Sequence, residues 1–284
     1  MYILQDYDDT IEKILKTGFR TSNRTGMDTL TLFGVQTRYR IDELFPIPTK
    51  REYKTRSVLA EMLWMVSGST SILYLEKMGS KIWSAWKDFE FEKINNYNEG
   101  EIGPGYGWQM RHFGEDYSNR NLNPKGFDQI DYLIKELRKN KTSRRILMNL
   151  WNPVDMTSSR VRLPACHYSF QCVVDNNDNL TGILSMRSCD TPIGQVSDTI
   201  FYCALLYMLA QQANLKPYEF IINMGNAHIY VDQIPAVEEY LSREKVDSPK
   251  LILNKANDIF SYTLNDFSVI DYNPLPKIKI PVAV

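Results

Sequence analysis

Cys166 is the residue whose chemistry the sequence must account for. It follows Leu163-Pro164-Ala165, where a proline and an alanine fix the approach, and it opens the alternating stretch His167-Tyr168-Ser169-Phe170-Gln171. A thiol so placed is a nucleophile, a metal ligand or an ordinary buried cysteine, and the run itself leaves all three open. His167 does not narrow the choice. Successive side chains on extended backbone point to opposite faces, so Cys166 and His167 are badly placed to share a metal or to form a direct pair. Of the other two histidines, His112 and His228, the second stands in His228-Ile229-Tyr230. That spacing puts an imidazole and a phenol on one strand face, a pair able to hold sugar hydroxyls, although a lone histidine also serves as a core residue.

Cations form a second set. Arg24, Arg144-Arg145 and Arg187-Ser188 fall at expected strand edges or in loops beside them. A guanidinium recognises phosphate through paired hydrogen bonds and a serine hydroxyl adds a donor, so these arginines meeting at one site would neutralise a phosphate dianion. Taken singly, they are unrelated surface arginines. Glu61 stands in a segment that is apolar nearly all round, with Val58, Leu59, Met62, Leu63, Trp64, Met65 and Val66. Desolvation raises a carboxyl pKa in such a place, unless that helix face reaches solvent.

The elements that must position these groups follow from periodicity. Apolar residues at helical spacing predict helices over 8–16, 57–66, 127–140 and 236–242, and a buried central helix over 199–213. Alternation predicts strands over 29–41 with a bend at Gly34, and over 146–151, 219–223 and 250–254. The turn-rich Asp175-Asn176-Asn177-Asp178-Asn179 between 167–174 and 180–186 predicts a hairpin. The charged, Asn/Gly/Pro-rich stretch 87–107 reads as a surface excursion. Strands and helices mix without strict alternation, which predicts an α+β fold with a mixed sheet in one domain over 1–284.

Composition bounds the function. The 284 residues are 43% hydrophobic and 24% charged with a formal net charge of −1, which gives no electrostatic footprint for general nucleic-acid binding. No apolar run reads as a membrane helix of about 20 residues, and the N-terminus lacks a signal-peptide pattern. The four cysteines, Cys166, Cys172, Cys189 and Cys203, form no C-x-x-C pair. Reduced thiols and a cytoplasmic location are the expectation, the host cytoplasm if the chain is phage-encoded.

Several of these residues lie in motifs that occur together in one family. The chain resembles thymidylate synthase over almost its whole length. The resemblance rests on Asn23-Arg24-Thr25-Gly26, Arg56-Ser57-Val58-Leu59-Ala60-Glu61-Met62-Leu63-Trp64 and Gly103-Pro104-Gly105-Tyr106-Gly107. It continues through Ser143-Arg144-Arg145, Leu163-Pro164-Ala165-Cys166-His167, Met186-Arg187-Ser188-Cys189-Asp190 and His228-Ile229-Tyr230, to Ile278-Lys279-Ile280-Pro281-Val282-Ala283-Val284.

The resemblance implies an α+β fold with a twisted mixed sheet, helices on one face, and homodimers whose sheets pack back to back. It implies a pyrimidine deoxynucleoside monophosphate as substrate and 5,10-methylenetetrahydrofolate as co-substrate, with no metal. Cys166 would attack C6 of the base as thiolate, favoured by nearby arginines. Glu61 would move protons through water, and Tyr106 would assist loss of the C5 proton. Arg24, Arg187 and Ser188 would bind the phosphate, joined by Arg144 and Arg145 from the other subunit. His228 and Tyr230 would hold the 3′-hydroxyl. Lys50, Trp83, Trp86, Asp190, Gly194 and Val284 match folate-side positions, with Asp190 close to the nucleotide as well.

Two departures stand out. Thymidylate synthases usually read Leu-Gly-x-Pro-Phe-Asn after the aspartate, whereas this chain reads Ile193-Gly194-Gln195-Val196-Ser197-Asp198. An amide complements the O4 acceptor and N3 donor of uracil. Cytosine offers an N4 donor and an N3 acceptor, which a carboxyl complements when one proton is shared between them. An ionised carboxylate against uracil O4 leaves a buried polar contact without a hydrogen, costing on the order of 1–3 kcal/mol. Asp198 therefore points to dCMP and resembles the deoxycytidylate hydroxymethylase branch of the family, in which water captures the exocyclic methylene. Ser197 in place of the usual phenylalanine would remove an apolar wall and admit water. Trp83 and the complete C-terminal closure suit reductive methylation instead. The second departure is Asn226, where the family usually has aspartate; sequence gives no physical account of it.

Overall fold

The computed structural model describes residues 6–282. Its sheet is written by alternation. In β5 (Asn179–Met186) every second residue, from Leu180 to Met186, is buried, and in β4 (His167–Val174) Phe170 and Cys172 point the same way. The remaining strands of this sheet are β1 (Phe19–Thr21), β2 (Thr29–Arg40), β3 (Leu147–Asn149), β6 (Cys189–Asp190) and β7 (Lys216–Tyr230). They run in the order β1-β2-β7-β5-β4-β3, with β6 pairing to β7. Pairing is antiparallel except for β5 and β6 against β7, which are parallel. A separate antiparallel pair joins β8 (Lys250–Leu253) to β9 (Phe267–Ile270).

The helices are α1 (Tyr7–Thr17), α2 (Thr55–Val66), α3 (Ile72–Lys77), α4 (Phe89–Asn95), α5 (Tyr106–Arg111), α6 (Gln129–Lys139), α7 (Pro153–Met156), α8 (Val196–Ala213) and α9 (Ile234–Ser242). Helix α8 is apolar all round because it is enclosed. It packs on β5 and β7 on one side and against α2 and α6 on the other. The segment Thr191–Ala213 is long and apolar enough to cross a membrane, contrary to the sequence expectation, yet 72% of its apolar window is buried inside the protein. It is a core helix.

Two other expectations change. Strand β7 runs to 15 residues, against the five expected over 219–223, and continues through Pro217 and Gly225. Gly225 is required by close approach: a Cβ there would lie 3.2 Å from the Arg187 carbonyl oxygen. The stretch 87–107 is not a surface excursion. Its charged part forms α4, whose buried Glu92 accepts from the Gly100 N–H at 2.8 Å, and Ile102 to Tyr106 are buried on the way into α5.

Gly107 sets how closely α5 approaches α2. A Cβ at this position would lie 2.5 Å from the Ser69 carbonyl oxygen and 3.1 Å from that of Met65, both backbone. Gly107→Ala should therefore destabilise the protein by about 1–3 kcal/mol, as overpacking of a close contact does, and lower activity by displacing Tyr106. An unchanged urea midpoint would contradict this packing account.

Candidate active site

The C-terminal ends of β5, β6 and β4's first residues open onto a cavity of about 820 Å³. One wall is cationic. Arg24, in the turn held by Asn23 accepting from the Thr25 N–H and hydroxyl, lines it with Arg187 and Ser188. Arg187 is fixed by its backbone partners, donating from Nε to Ala165 O at 2.8 Å and from Nη2 to Pro164 O at 2.9 Å. Trp86, Ile193 and Val282 add an apolar part to the lining, and at Gly194 a Cβ would meet atoms no nearer than 3.9 Å. His228, Tyr230, Asn226 and Asp190 also line the cavity. A lining that combines guanidiniums with aromatic and apolar side chains suits a phosphate-bearing nucleotide and a planar co-substrate.

Cys166 lines the cavity beside Arg187, whose Nη2 lies 3.9 Å from Sγ. Burial pushes the thiol up, and the guanidiniums of Arg187 and Arg24 pull against that shift. The free thiol is thus held protonated, in contrast to the expectation that arginines lower it, because desolvation is the larger effect. Its backbone N–H donates to the Tyr106 hydroxyl at 2.7 Å, which places that phenol at the nucleophile. His167 turns away, as strand alternation requires. Its ring stacks on Tyr106 at 4.3 Å, and Nδ1 lies 2.7 Å from the Tyr202 hydroxyl. Burial lowers its pKa to about 3, so the ring is neutral.

Glu61 and Asp198 face one another across the α2–α8 contact. Burial raises Glu61 to about 7, offset by a hydrogen bond from Trp83 Nε1 at 2.5 Å. Burial first, and then the Glu61 charge, push Asp198 well above the usual carboxylate range. Its Oδ1 lies 3.6 Å from His167 Nε2. The tautomer that satisfies both neighbours has Tyr202 donating to Nδ1 and an Nε2–H facing Asp198.

The structure does not bring every expected residue to the cavity. Trp83 is 5% exposed and spends its donor on Glu61, between Trp64, Trp86 and Tyr106. Lys50 pairs with Asp8 at 3.1 Å, away from the cavity lining. Arg144 and Arg145 are exposed just before β3 and do not line it. Val284 lies outside the described residues. Among the described residues no cluster of His, Cys, Asp and Glu is arranged to hold a metal.

Three features escaped sequence reasoning. Asn226 gains an account here: its Oδ1 lies 2.9 Å from His228 Nδ1, and with burial lowering His228 to about 4 the neutral ring donates from Nδ1 and leaves Nε2 free as an acceptor. Tyr202 and Gln233 carried no signal, one lying inside an apolar helix and the other in a polar turn.

Glu61 gives a stability test. Its folded pKa is raised, so its contribution is present below the unfolded value of 4.5 and is lost as pH rises through about 7. Between pH 5 and 8, Glu61→Gln should gain about 2 kcal/mol of stability relative to wild type, while losing activity. An identical stability difference at both pH values would contradict the buried-carboxyl account.

The comparisons with known proteins show the family. The thymidylate synthase family model matches residues 5–284. The thymidylate synthase of Malacoplasma penetrans is 35% identical over 99% of this chain and 100% of its own length. The human thymidylate synthase is 38% identical over 98% of this chain and 90% of its own length. A maize bifunctional dihydrofolate reductase-thymidylate synthase is 34% identical over 98% of this chain and 54% of its own length. The chain belongs to the thymidylate synthase family, enzymes that transfer a one-carbon unit from methylenetetrahydrofolate to a pyrimidine nucleotide.

Proposed function

We propose that this enzyme, acting as one domain over its length, hydroxymethylates dCMP at C5, converting dCMP, methylenetetrahydrofolate and water to 5-hydroxymethyl-dCMP and tetrahydrofolate. The observation that carries the reading is Asp198, a half-buried carboxyl with a raised pKa where the family's base-reading amide is expected.

Glu61 and Asp198 are half-buried and interact through their charges, and a proton on Asp198 relieves their repulsion. With Nε2–H of His167 facing Oδ1, that oxygen is the acceptor and the proton belongs on Oδ2, the oxygen nearer Gly194. A carboxyl so arranged donates to cytosine N3 and accepts from N4–H. Uracil presents N3–H and O4 at the same places and meets a donor with a donor and an acceptor with an acceptor.

Around that base the other groups act in turn. Arg24, Arg187 and Ser188 hold the phosphate, and its binding beside Cys166 leaves Arg187 oriented toward the thiol. Loss of the thiol proton and attack of Sγ on C6 form the covalent bond and make C5 electron-rich. The folate supplies a methylene at the formaldehyde oxidation level. Tyr106, held at Cys166, assists departure of the C5 proton, and Glu61 relays it through water. C5 bonds to that methylene carbon. Once the C5 proton is lost, the methylene–nitrogen bond breaks and tetrahydrofolate leaves, giving an exocyclic methylene. Water then adds to it, and Sγ leaves C6 as the ring double bond re-forms. Trp86, Asp190, Gly194 and Val282 bound the folate end. Trp83 acts on that end indirectly, through Glu61, and Lys50 acts from outside the wall.

Arg144 and Arg145 complete the phosphate site in the second copy of a homodimer. Their exposure away from their own cavity supports this, as do Leu147 and Tyr168, which stand 42% and 38% exposed on neighbouring strands. The four unpaired cysteines support a reducing compartment, the cytoplasm.

Reductive methylation is the second reading. The names of the relatives favour it, and so does an apolar folate wall of Trp86, Ile193 and Val282. Ser197 favours water. Mixing enzyme with methylenetetrahydrofolate and dCMP should give tetrahydrofolate with no rise in dihydrofolate absorbance; a stoichiometric rise establishes methylation. Asp198→Asn should lower the dCMP/dUMP ratio of kcat/KM by about 100-fold, the loss of about two mismatched contacts. An unchanged ratio removes the base-reading role.

A further inference from the structure

Gln233 is fully buried at the end of the single turn that follows β7, three residues beyond Tyr230. Its side chain joins three separate segments. Oε1 accepts from the Tyr230 N–H at 3.1 Å, on the strand that carries His228. Nε2 donates to the Asp190 carboxylate, at 3.2 Å from Oδ1 and 3.1 Å from Oδ2, and to the Pro281 carbonyl at 3.0 Å. Two N–H groups and one carbonyl are thereby all used, so nothing in the amide is spare. Each of the three partners adjoins the cavity: Tyr230 and Asp190 line it directly, and Pro281 precedes Val282, which also does.

The amide is chemically specific at this point. Both Asp190 and Pro281 present only acceptors, so the bridge between them needs a group with two donors and no charge of its own to repel a carboxylate. Asp190 is half-buried, and Asp232, Arg51 and the Ile193 N–H act on its charge as well as Gln233. Burial raises it to about 7, and the Gln233 bond acts against that shift. Arg51 supports the same strap elsewhere, donating to Pro192 O at 3.0 Å and to Ile278 O at 3.5 Å.

We infer that Gln233 is a positioning residue for the one-carbon transfer, tying the C-terminal strap to Asp190 and to the sugar-binding strand so that the folate end closes in register with the bound nucleotide. The inference rests on the reading of the apolar part of the cavity lining as the folate side. Gln233 touches neither substrate; it acts through Asp190, Tyr230 and the strap.

The test compares Gln233→Met with Gln233→Glu in the full-length enzyme. Methionine matches the volume and removes every bridge. The methionine variant should raise KM for methylenetetrahydrofolate at least tenfold while changing KM for the nucleotide less than threefold. Glutamate can bridge Asp190 only with a shared proton, so kcat/KM for the folate in that variant should recover as pH falls from 8.5 to 6, relative to wild type at each pH. Parallel rises in both KM values, an unchanged folate KM, or no pH-dependent recovery in the glutamate variant would each overturn the inference. Every measurement is made with dCMP and with dUMP. Wild-type preference for dUMP would defeat the base reading, and the Gln233 comparison would then stand or fall on dUMP.

Discussion

Two carboxyls at one helix contact set the terms for this site. Glu61 from α2 and Asp198 from α8 are both half-buried where the two helices pack, and the Glu61 charge adds to the rise in the Asp198 pKa. Like charges in low dielectric cannot both be carried, so at least one proton is retained there near neutral pH. Most of the neighbouring architecture manages that proton. Trp83 spends its only donor on Glu61, Tyr202 and His167 fix which oxygen of Asp198 faces a donor, and Tyr106 stacks on the same imidazole while holding Cys166 by its backbone. Asp198 and Cys166 are therefore joined through one packed cluster of rings.

The sheet makes this cluster possible. Alternation sends Cys166 to the cavity and His167 beneath it, so neighbouring residues serve different functions without competing. The parallel pairing of β6 with β7 puts Asp190 opposite His228. A five-residue π-helical turn, Thr191–Gln195, then leads into α8, bringing Gly194 to the cavity lining while Asp198, one turn on, stays behind it with its Oδ2 near Gly194. Fully buried Gln195 pins that turn to β2 through the Tyr39 hydroxyl at 2.9 Å. Such turns concentrate where a helix must be re-aimed at a site.

Periodicity made the larger elements legible. The hairpin of β4 and β5 and the apolar α8 follow from local pattern, and the helices α1, α2 and α6 from their apolar stripes. The full length of β7 was hidden because Gly225 carries two meanings in sequence, strand breaker and close-approach residue, and only the position of Arg187 O distinguishes them. Burial at 102–106 was hidden for a similar reason: Gly103-Pro104-Gly105 looks like solvent-exposed turn until α2 and the 160s chain cover it. For the site, residue types pointed to Cys166, Arg24 and Arg187, which line the cavity, and to the departure at Asp198. They could not show that Trp83 faces Glu61, that Asn226 fixes the His228 tautomer or that Gln233 bridges three segments. Those facts depend on contacts between segments distant in the chain, which no local spacing encodes.

The central claim is that a half-buried, protonated Asp198 reads cytosine and that the carbon attached to C5 is captured by water. Supplying wild-type enzyme with equal amounts of dCMP and dUMP and with methylenetetrahydrofolate, then weighing the nucleotide products by mass spectrometry, tests both halves together. The account predicts a dCMP product heavier by one CH2O unit, with dUMP left unchanged. A dUMP product heavier by one CH2 unit, with dCMP untouched, would contradict it.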